Sequence, residues 1–255
     1  MIKKITLACF LFSSLFVAAQ DTTVATSETK SSSWSYLVQP YLMFPNMKGD
    51  TQIRENLPSL GIDANTSDIF NNLEMGAMLY LEARNADWAI TSDFVYMKLG
   101  QDATPDRLVE KADIDVTETI WELAGFRRFL PMLEAGVGMR LVSIGAEANI
   151  DLVTGESHNP DLTETWVDPI IIVRSNHVIK DKFIANIRAD IGGFGIGSKL
   201  TWQLQGEAGY QFSDLFSASL GYRYISIDYV TGSGQDYFVY DVDTFGPELR
   251  LGFNF

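Results

Sequence analysis

Residues 200–212, LTWQLQGEAGYQF, alternate almost without fault: Leu200, Trp202, Leu204, Ala208, Tyr210 and Phe212 fall on one side, Thr201, Gln203, Gln205, Glu207 and Gln211 on the other. A helix would scatter those polar groups around its circumference, whereas a strand gathers them on one face. The same split runs through FIANIRADI, where Phe183, Ala185, Ile187, Ala189 and Ile191 alternate with Asn186, Arg188 and Asp190. It recurs in FSASLGYRY, with Phe216, Ala218, Leu220, Tyr222 and Tyr224 against Ser217, Ser219, Gly221 and Arg223. Noisier segments of similar length occupy residues 34–44, 75–84, 88–99, 115–126, 133–146, 166–179 and 246–255. Two-faced segments of about ten residues, separated by turns, are what a closed membrane barrel requires.

The beginning of the chain sets the compartment. Lys3 and Lys4 precede an apolar run over residues 5–16, followed by the small residues Val17, Ala18 and Ala19. That is the layout of a secretory signal peptide cleaved after Ala19, and the run is too short to anchor a helix in a bilayer. Cys9 lies too early in the run to be a lipidation site. Three parts are expected: residues 1–19 as signal peptide, 20–33 as a polar, disordered periplasmic lead-in, and 34–255 as the barrel. Losing the signal removes the single cysteine, and with it disulfide, thiolate and sulfur-ligand chemistry. It also leaves 17 basic residues against 33 acidic, a balance that repels phosphate backbones, so no nucleic-acid partner is expected. Downstream, no apolar stretch approaches the length of a transmembrane helix, PIIIV at residues 169–173 being typical. A membrane location would therefore demand a closed barrel, the other architecture that satisfies every backbone group in lipid.

The expected fold is all-β: a transmembrane antiparallel up-and-down β-barrel of about ten strands in the outer membrane, with eight as the alternative if the first pair lies outside the wall. Short connections at residues 85–87, 130–131, 180–182 and 213–214 alternate with longer ones at 45–72, 100–113, 150–164, 192–199 and 228–236. Short turns mark the periplasmic side, which places both termini there. Trp34, Trp88, Phe183, Phe212, Phe216 and Phe255 then form a periplasmic aromatic girdle, and Trp121, Trp166 and Trp202 an outer one. With the apolar faces toward lipid, the lumen receives Glu82, Asp93, Glu118, Glu122, Glu134, Arg140, Asp168, Arg174, Arg188, Asp190, Glu207, Arg223, Glu248 and Arg250. Every cation in that set is arginine. Lysines (Lys48, Lys98, Lys111, Lys180, Lys182, Lys199) sit near strand ends or in loops. A guanidinium bridges two carboxylates with a fixed fork, which suits a narrow interior where charges must pair.

From residue 190 onward, DIGGFGIGSKLTWQLQGEAGYQFSD, FSASLGYRYISIDY and YDVDTFGPELRLGFNF resemble a family of Gram-negative outer-membrane β-barrel proteins, with weaker echoes in LEARNADWAITSDFVYMKLG and WVDPII. The resemblance implies an outer-membrane barrel and supplies no catalytic residues. Phe253 and Phe255, ending an alternating apolar strand, also resemble the signal read by the outer-membrane assembly machinery.

Several chemistries fit poorly. GGFGIGSK lacks the Gly-Lys-Ser/Thr order of a phosphate loop and leads into a strand, so its glycines read as a tight extracellular hairpin. Outer-membrane hydrolases depend on histidine, and this chain offers His158 in an acidic loop beside Glu156 and Asp161, and His177 at the periplasmic end of its strand. No Gly-x-Ser-x-Gly elbow is present. Asp113 and Asp115 near Glu110, and Asp241 with Asp243, place paired carboxylates on one strand face, suited to a divalent cation shared with lipopolysaccharide phosphates. Solvated loop carboxylates are the plainer account, and no cofactor or resident metal is expected. The segment TSDIFNNL should form a turn or two of helix capped by Thr66 or Ser67, with Ile69, Phe70 and Leu73 on one side, packed at the barrel rim. The expected function is a small monomeric barrel with a structural or surface-interaction role, its lumen closed by the Arg/carboxylate network. Its partners are outer-membrane lipid, lipopolysaccharide and the assembly machinery. The alternatives are a narrow channel or small-ligand transport module, a lipid- or peptide-modifying enzyme, and a soluble periplasmic barrel whose apolar face is a core.

Overall fold

A computed structural model describes residues 33–103, 109–152, 157–159, 161–180 and 182–255. The expected signal peptide and nearly all of the expected lead-in therefore lie outside the described residues, as do the side chains of Glu110, Lys111, Glu156 and His158. The strands are β1 (Ser35–Met43), β2 (Asn46–Ile53), β3 (Leu60–Ala64), β4 (Leu73–Arg84), β5 (Trp88–Ala103), β6 (Val109–Leu130), β7 (Leu133–Leu152), β8 (Ser157–His158), β9 (Asp161–Ile179), β10 (Phe183–Gly192), β11 (Leu200–Gln211), β12 (Phe216–Thr231) and β13 (Phe238–Asn254). They pair antiparallel, and β13 closes on β1 through Leu37↔Asn254 to Met43↔Glu248. The wall is a closed ten-stranded barrel, because β1 and β2 together make one wall strand and β3 and β8 stand beside it. The eight-stranded alternative fails: β1 and β4 pair with each other and both are in the wall.

Alternation decides which side each residue takes. In β11, Leu200, Trp202 and Leu204 are exposed on the outside while Thr201, Gln203 and Gln205 are buried in the lumen. Exposed Val137, Ile171, Val173, Ile187, Leu220, Leu249 and Leu251 continue the apolar surface around the wall. A continuous apolar belt is untenable on a soluble protein and is the surface a bilayer solvates. The soluble alternative, which needed that face as a core, is overturned, and the chain is a transmembrane barrel of the cell outer membrane. The start of β1 and the end of β13 share a rim with the short turns at residues 85–87, 131–132 and 212–215. At the other rim the strands continue far beyond the belt. β6 has 22 residues, although roughly ten cross a membrane at the usual tilt, so about half of it stands outside.

The 45–72 connection is not a plain loop. Pro40 has no amide hydrogen, and Pro40↔Leu79 is the last pair of the β1–β4 ladder. Beyond it the amide of Met43 donates to Met78 Sδ at 3.3 Å. After Pro45 the chain resumes as β2, paired to the outer half of β13 from Phe245↔Asn46 to Phe238↔Ile53, with β3 along its far edge. The helix α1 (Thr66–Asn71) covers the seam left against β4, stacking Phe70 on Phe44 at 5.4 Å and burying Ile69. Its cap is Asn65 rather than Thr66 or Ser67: Asn65 Oδ1 accepts from the amides of Ser67 and Asp68, and Asp68 Oδ2 accepts from the Asn65 amide. Thr66 is diverted to the carbonyls of Phe44 and Pro45.

Candidate functional site

The lumen holds the candidate chemistry, and it is arranged in storeys. Nearest the periplasm, Arg174 donates to Glu134 Oε2 at 2.7 Å and Glu82 Oε2 at 2.8 Å, bridging β9 to β7 and β4. Arg84 and Arg128 join the same two carboxylates, with Arg84 2.7 Å from Glu82 Oε1 and both guanidiniums on Glu134 Oε1. Phe126 lies under the Arg174 guanidinium at 4.0 Å. One level up, Arg140 is fully buried and donates to Glu122 Oε2, Asp190 Oδ1 and Thr201 Oγ1. Arg188 reaches the other oxygens of the same two carboxylates, at 2.5 and 2.9 Å. Across the lumen, Arg223 takes Asp93 and Glu248, and Arg250 takes Glu248 while lying 4.0 Å over the Tyr41 ring. Tyr41 donates its hydroxyl to Asp93 Oδ1 at 2.8 Å. Such sharing is required at this depth, because a buried charge without a partner costs several kcal/mol.

All fourteen lumen residues expected from sequence lie on the inward face, but the structure brings only eleven of them into ion pairs. Glu118, Asp168 and Glu207 are held by neutral donors. Glu118 accepts from Tyr240 Oη at 2.9 Å, and Glu207 from Ser219 Oγ and Asn186 Nδ2. Asp168, fully buried, accepts from the Ser198 amide at 2.5 Å, Ser198 Oγ at 2.7 Å and Trp166 Nε1 at 3.2 Å. The glycine hairpin between β10 and β11 makes this possible by folding inward. Gly193 and Gly195 take positive φ, and a Cβ on Gly197 would lie 2.5 Å from Asp168 Oδ1. Trp166 is thus inside the barrel, stacked on Tyr229 at 3.9 Å, and does not belong to the outer girdle. Arg84 and Arg128 were missed although each continues the inward phase of its strand, two residues after Glu82 and six after Glu122.

Above the charged storeys the lumen changes character. Met47, Met97, Val142, Trp166, Ile225, Ile227, Tyr229, Phe238, Tyr240 and Val242 pack into an apolar cluster beneath Ile69 of α1. Sequence reasoning assigned the whole interior to a polar network, but the inward phase of β12 runs from Ser219 and Arg223 into Ile225, Ile227 and Tyr229. Higher still, the projecting strands β5, β6, β7 and β9 leave Ile114 and Val116 exposed. On the outside of this level Lys98 lies 2.7 Å from Glu74 and 3.0 Å from Asp115, so Asp115 already has a cation. Asp243 accepts from Tyr224 Oη at 2.6 Å. Among the described residues no group of three or more His, Cys, Asp or Glu side chains is arranged to hold a metal ion. His177 pairs with Ser175 at 2.7 Å near the periplasmic rim.

No family model matches the sequence, and no curated protein matches it. Solved structures do. The outer-membrane protease OmpT from Escherichia coli superposes with a TM-score of 0.53 at 8% identity, covering 90% of this chain and 99% of that one. The attachment invasion locus protein Ail of Yersinia pestis aligns at 12% identity and a TM-score of 0.38, over 87% of this chain and 98% of its own. The P. putida toluene transporter TodX aligns at 6% identity and 0.36, over 87% and 90%. The likeness to OmpT is one of fold: the chain has the architecture of Gram-negative outer-membrane β-barrels.

Proposed function

We propose that this barrel is a closed, monomeric element of the outer membrane with a structural or surface-interaction role, and neither a conduit nor an enzyme. The observation that carries this proposal is the filling of the lumen. Paired arginines and carboxylates occupy its middle, and the apolar cluster from Met47 to Val242 occupies its outer half under Ile69. A barrel of about this strand number is just wide enough for its own side chains to fill. Strands that run on past the belt then form an extracellular sheet carrying exposed Ile114 and Val116, surface suited to contacts outside the cell. A hydrolytic role lacks support: His177 stands at the periplasmic rim of the lumen, and its hydrogen-bond partner Ser175 lies on the phase of β9 that carries the outward Ile171 and Val173. A deletion strain tests the proposal. Envelope integrity or surface adhesion should change, and Ile114→Ser with Val116→Ser should reproduce the adhesion change, while uptake of small hydrophilic solutes stays normal. Lost solute uptake with intact surface behaviour would point to transport instead.

A further inference from the structure

We propose that the periplasmic vestibule of the lumen binds a small oxyanion, a carboxylate or phosphate group entering from the periplasm. The barrel holds there a cavity of about 290 Å³, at the small end of the range for ligand pockets. Its wall includes Arg84, Arg128, Arg174, Arg188 and Arg250 against Glu82, Glu134 and Glu207. Arg188 and Arg250 are answered by Glu122, Asp190 and Glu248 outside that wall, which leaves Arg84, Arg128 and Arg174 as the guanidiniums of the vestibule itself.

Three guanidiniums, of Arg84, Arg128 and Arg174, share the two carboxylates Glu82 and Glu134. Those carboxylates are saturated: Glu134 Oε1 accepts from Arg84 and Arg128, its Oε2 from Arg174, and Glu82 Oε2 from Arg174 and the Tyr80 hydroxyl at 2.6 Å. Guanidiniums that share their carboxylates keep N–H groups facing the cavity, and an oxyanion offers the acceptors that saturated glutamates do not. Arg84 and Arg128, each about a third exposed, stand at the mouth, where they face solvent and draw an anion inward. The apolar storey above gives such a ligand no way through, so it enters and leaves on the same side. The vestibule is a binding site and not part of a pathway.

The test is calorimetric titration of the refolded full-length barrel in zwitterionic detergent, with sodium phosphate and sodium acetate each compared with sodium chloride at equal ionic strength. At least one oxyanion should bind saturably and more tightly than chloride. Preference for phosphate identifies a tetrahedral group as the ligand, and preference for acetate a carboxylate. Arg84→Gln with Arg128→Gln should weaken binding roughly tenfold or more, as loss of charge-assisted hydrogen bonds does, and Lys199→Gln on the extracellular hairpin should leave it unchanged. Labelling of the unmodified protein with an arginine-specific dicarbonyl reagent gives a readout that needs no variant. Phosphate or acetate should slow modification of Arg84 and Arg128 several-fold. Absence of saturable binding, equal affinity for chloride, undiminished binding in the folded double variant, or unprotected arginines would each overturn the proposal.

Discussion

Arg140→Met is the sharpest perturbation of the lumen, because Arg140 is fully buried between two buried carboxylates, 2.5 Å from Glu122 and 2.8 Å from Asp190. Methionine fills much of the same volume without charge, so the change leaves Glu122 and Asp190 to Arg188 alone, one negative charge in excess. Breaking a buried pair in this way costs about 3–5 kcal/mol. With a urea dependence of about 2 kcal/mol per molar, the unfolding midpoint should fall by roughly 2 M. The assay is reversible urea unfolding of barrel folded into lipid vesicles, followed by tryptophan fluorescence. Adding Asp190→Asn restores one arginine to one carboxylate, and the double variant should recover about 1–3 kcal/mol relative to additivity. Lys199→Met removes an exposed contact of 3.7 Å to Asp228 and should cost less than about 1 kcal/mol. If Arg140→Met stayed within 1 kcal/mol of the parent, or the double variant were simply additive, the buried network would not be what orders the lumen.

Three further outcomes follow from separate parts of the molecule. Ser198→Ala strips one donor from the buried Asp168 carboxylate and should cost about 1–3 kcal/mol in the same assay, with Gly197→Val costing more because its side chain would collide with Asp168 and the Val167 carbonyl. Above the girdle, partial desolvation followed by repulsion from Asp228, Asp243 and Asp50 raises the Asp241 carboxyl above its ordinary value. A carboxyl raised by folding opposes the folded hairpin while ionised, so proteolysis of the β12–β13 hairpin should slow as pH falls through the raised value. The gain should level off below the unfolded value of about 4, and Asp241→Asn should slow cleavage at pH 7 and flatten the profile. Phe255 exchanges two backbone hydrogen bonds with Tyr36 at the closing seam, 2.8 and 3.0 Å. Phe253→Ala with Phe255→Ala should delay membrane assembly while leaving secretion intact, and normal assembly kinetics would remove these phenylalanines from that role.

The strands and their facing were legible because lipid and lumen demand opposite chemistries, which prints period two into stretches such as residues 200–212. Where both faces are apolar the print disappears. In PIIIV, Ile170 and Ile172 turn inward and Ile171 and Val173 outward, and no alternation tells them apart. The apolar storey was hidden for the same reason: Ile225, Ile227 and Tyr229 are inward on a strand whose outward face is also partly apolar. Trp166 shares the inward phase of Asp168 and Arg174, so position should have outweighed its identity as an aromatic near a strand end. β2, with the sequence NMKGDTQI, carries no alternating apolar set, since much of its outward face meets water above the belt. Its place in the wall follows from pairing with β13, which is information from a partner about 190 residues away. The arginine set was readable as a set, but which carboxylates it would leave to Tyr240, Ser198 and Ser219 depended on strand stagger.

Single-barrel current recording in a planar bilayer bears most directly on the closed lumen. Protein whose gel mobility shifts on heating, showing that it was folded, should insert without producing conductance steps in 1 M KCl across applied voltages of either sign. Discrete, reproducible ohmic steps from that same folded protein would contradict the account, because ions would then be passing where Val142, Ile227 and Trp166 fill the outer half of the lumen.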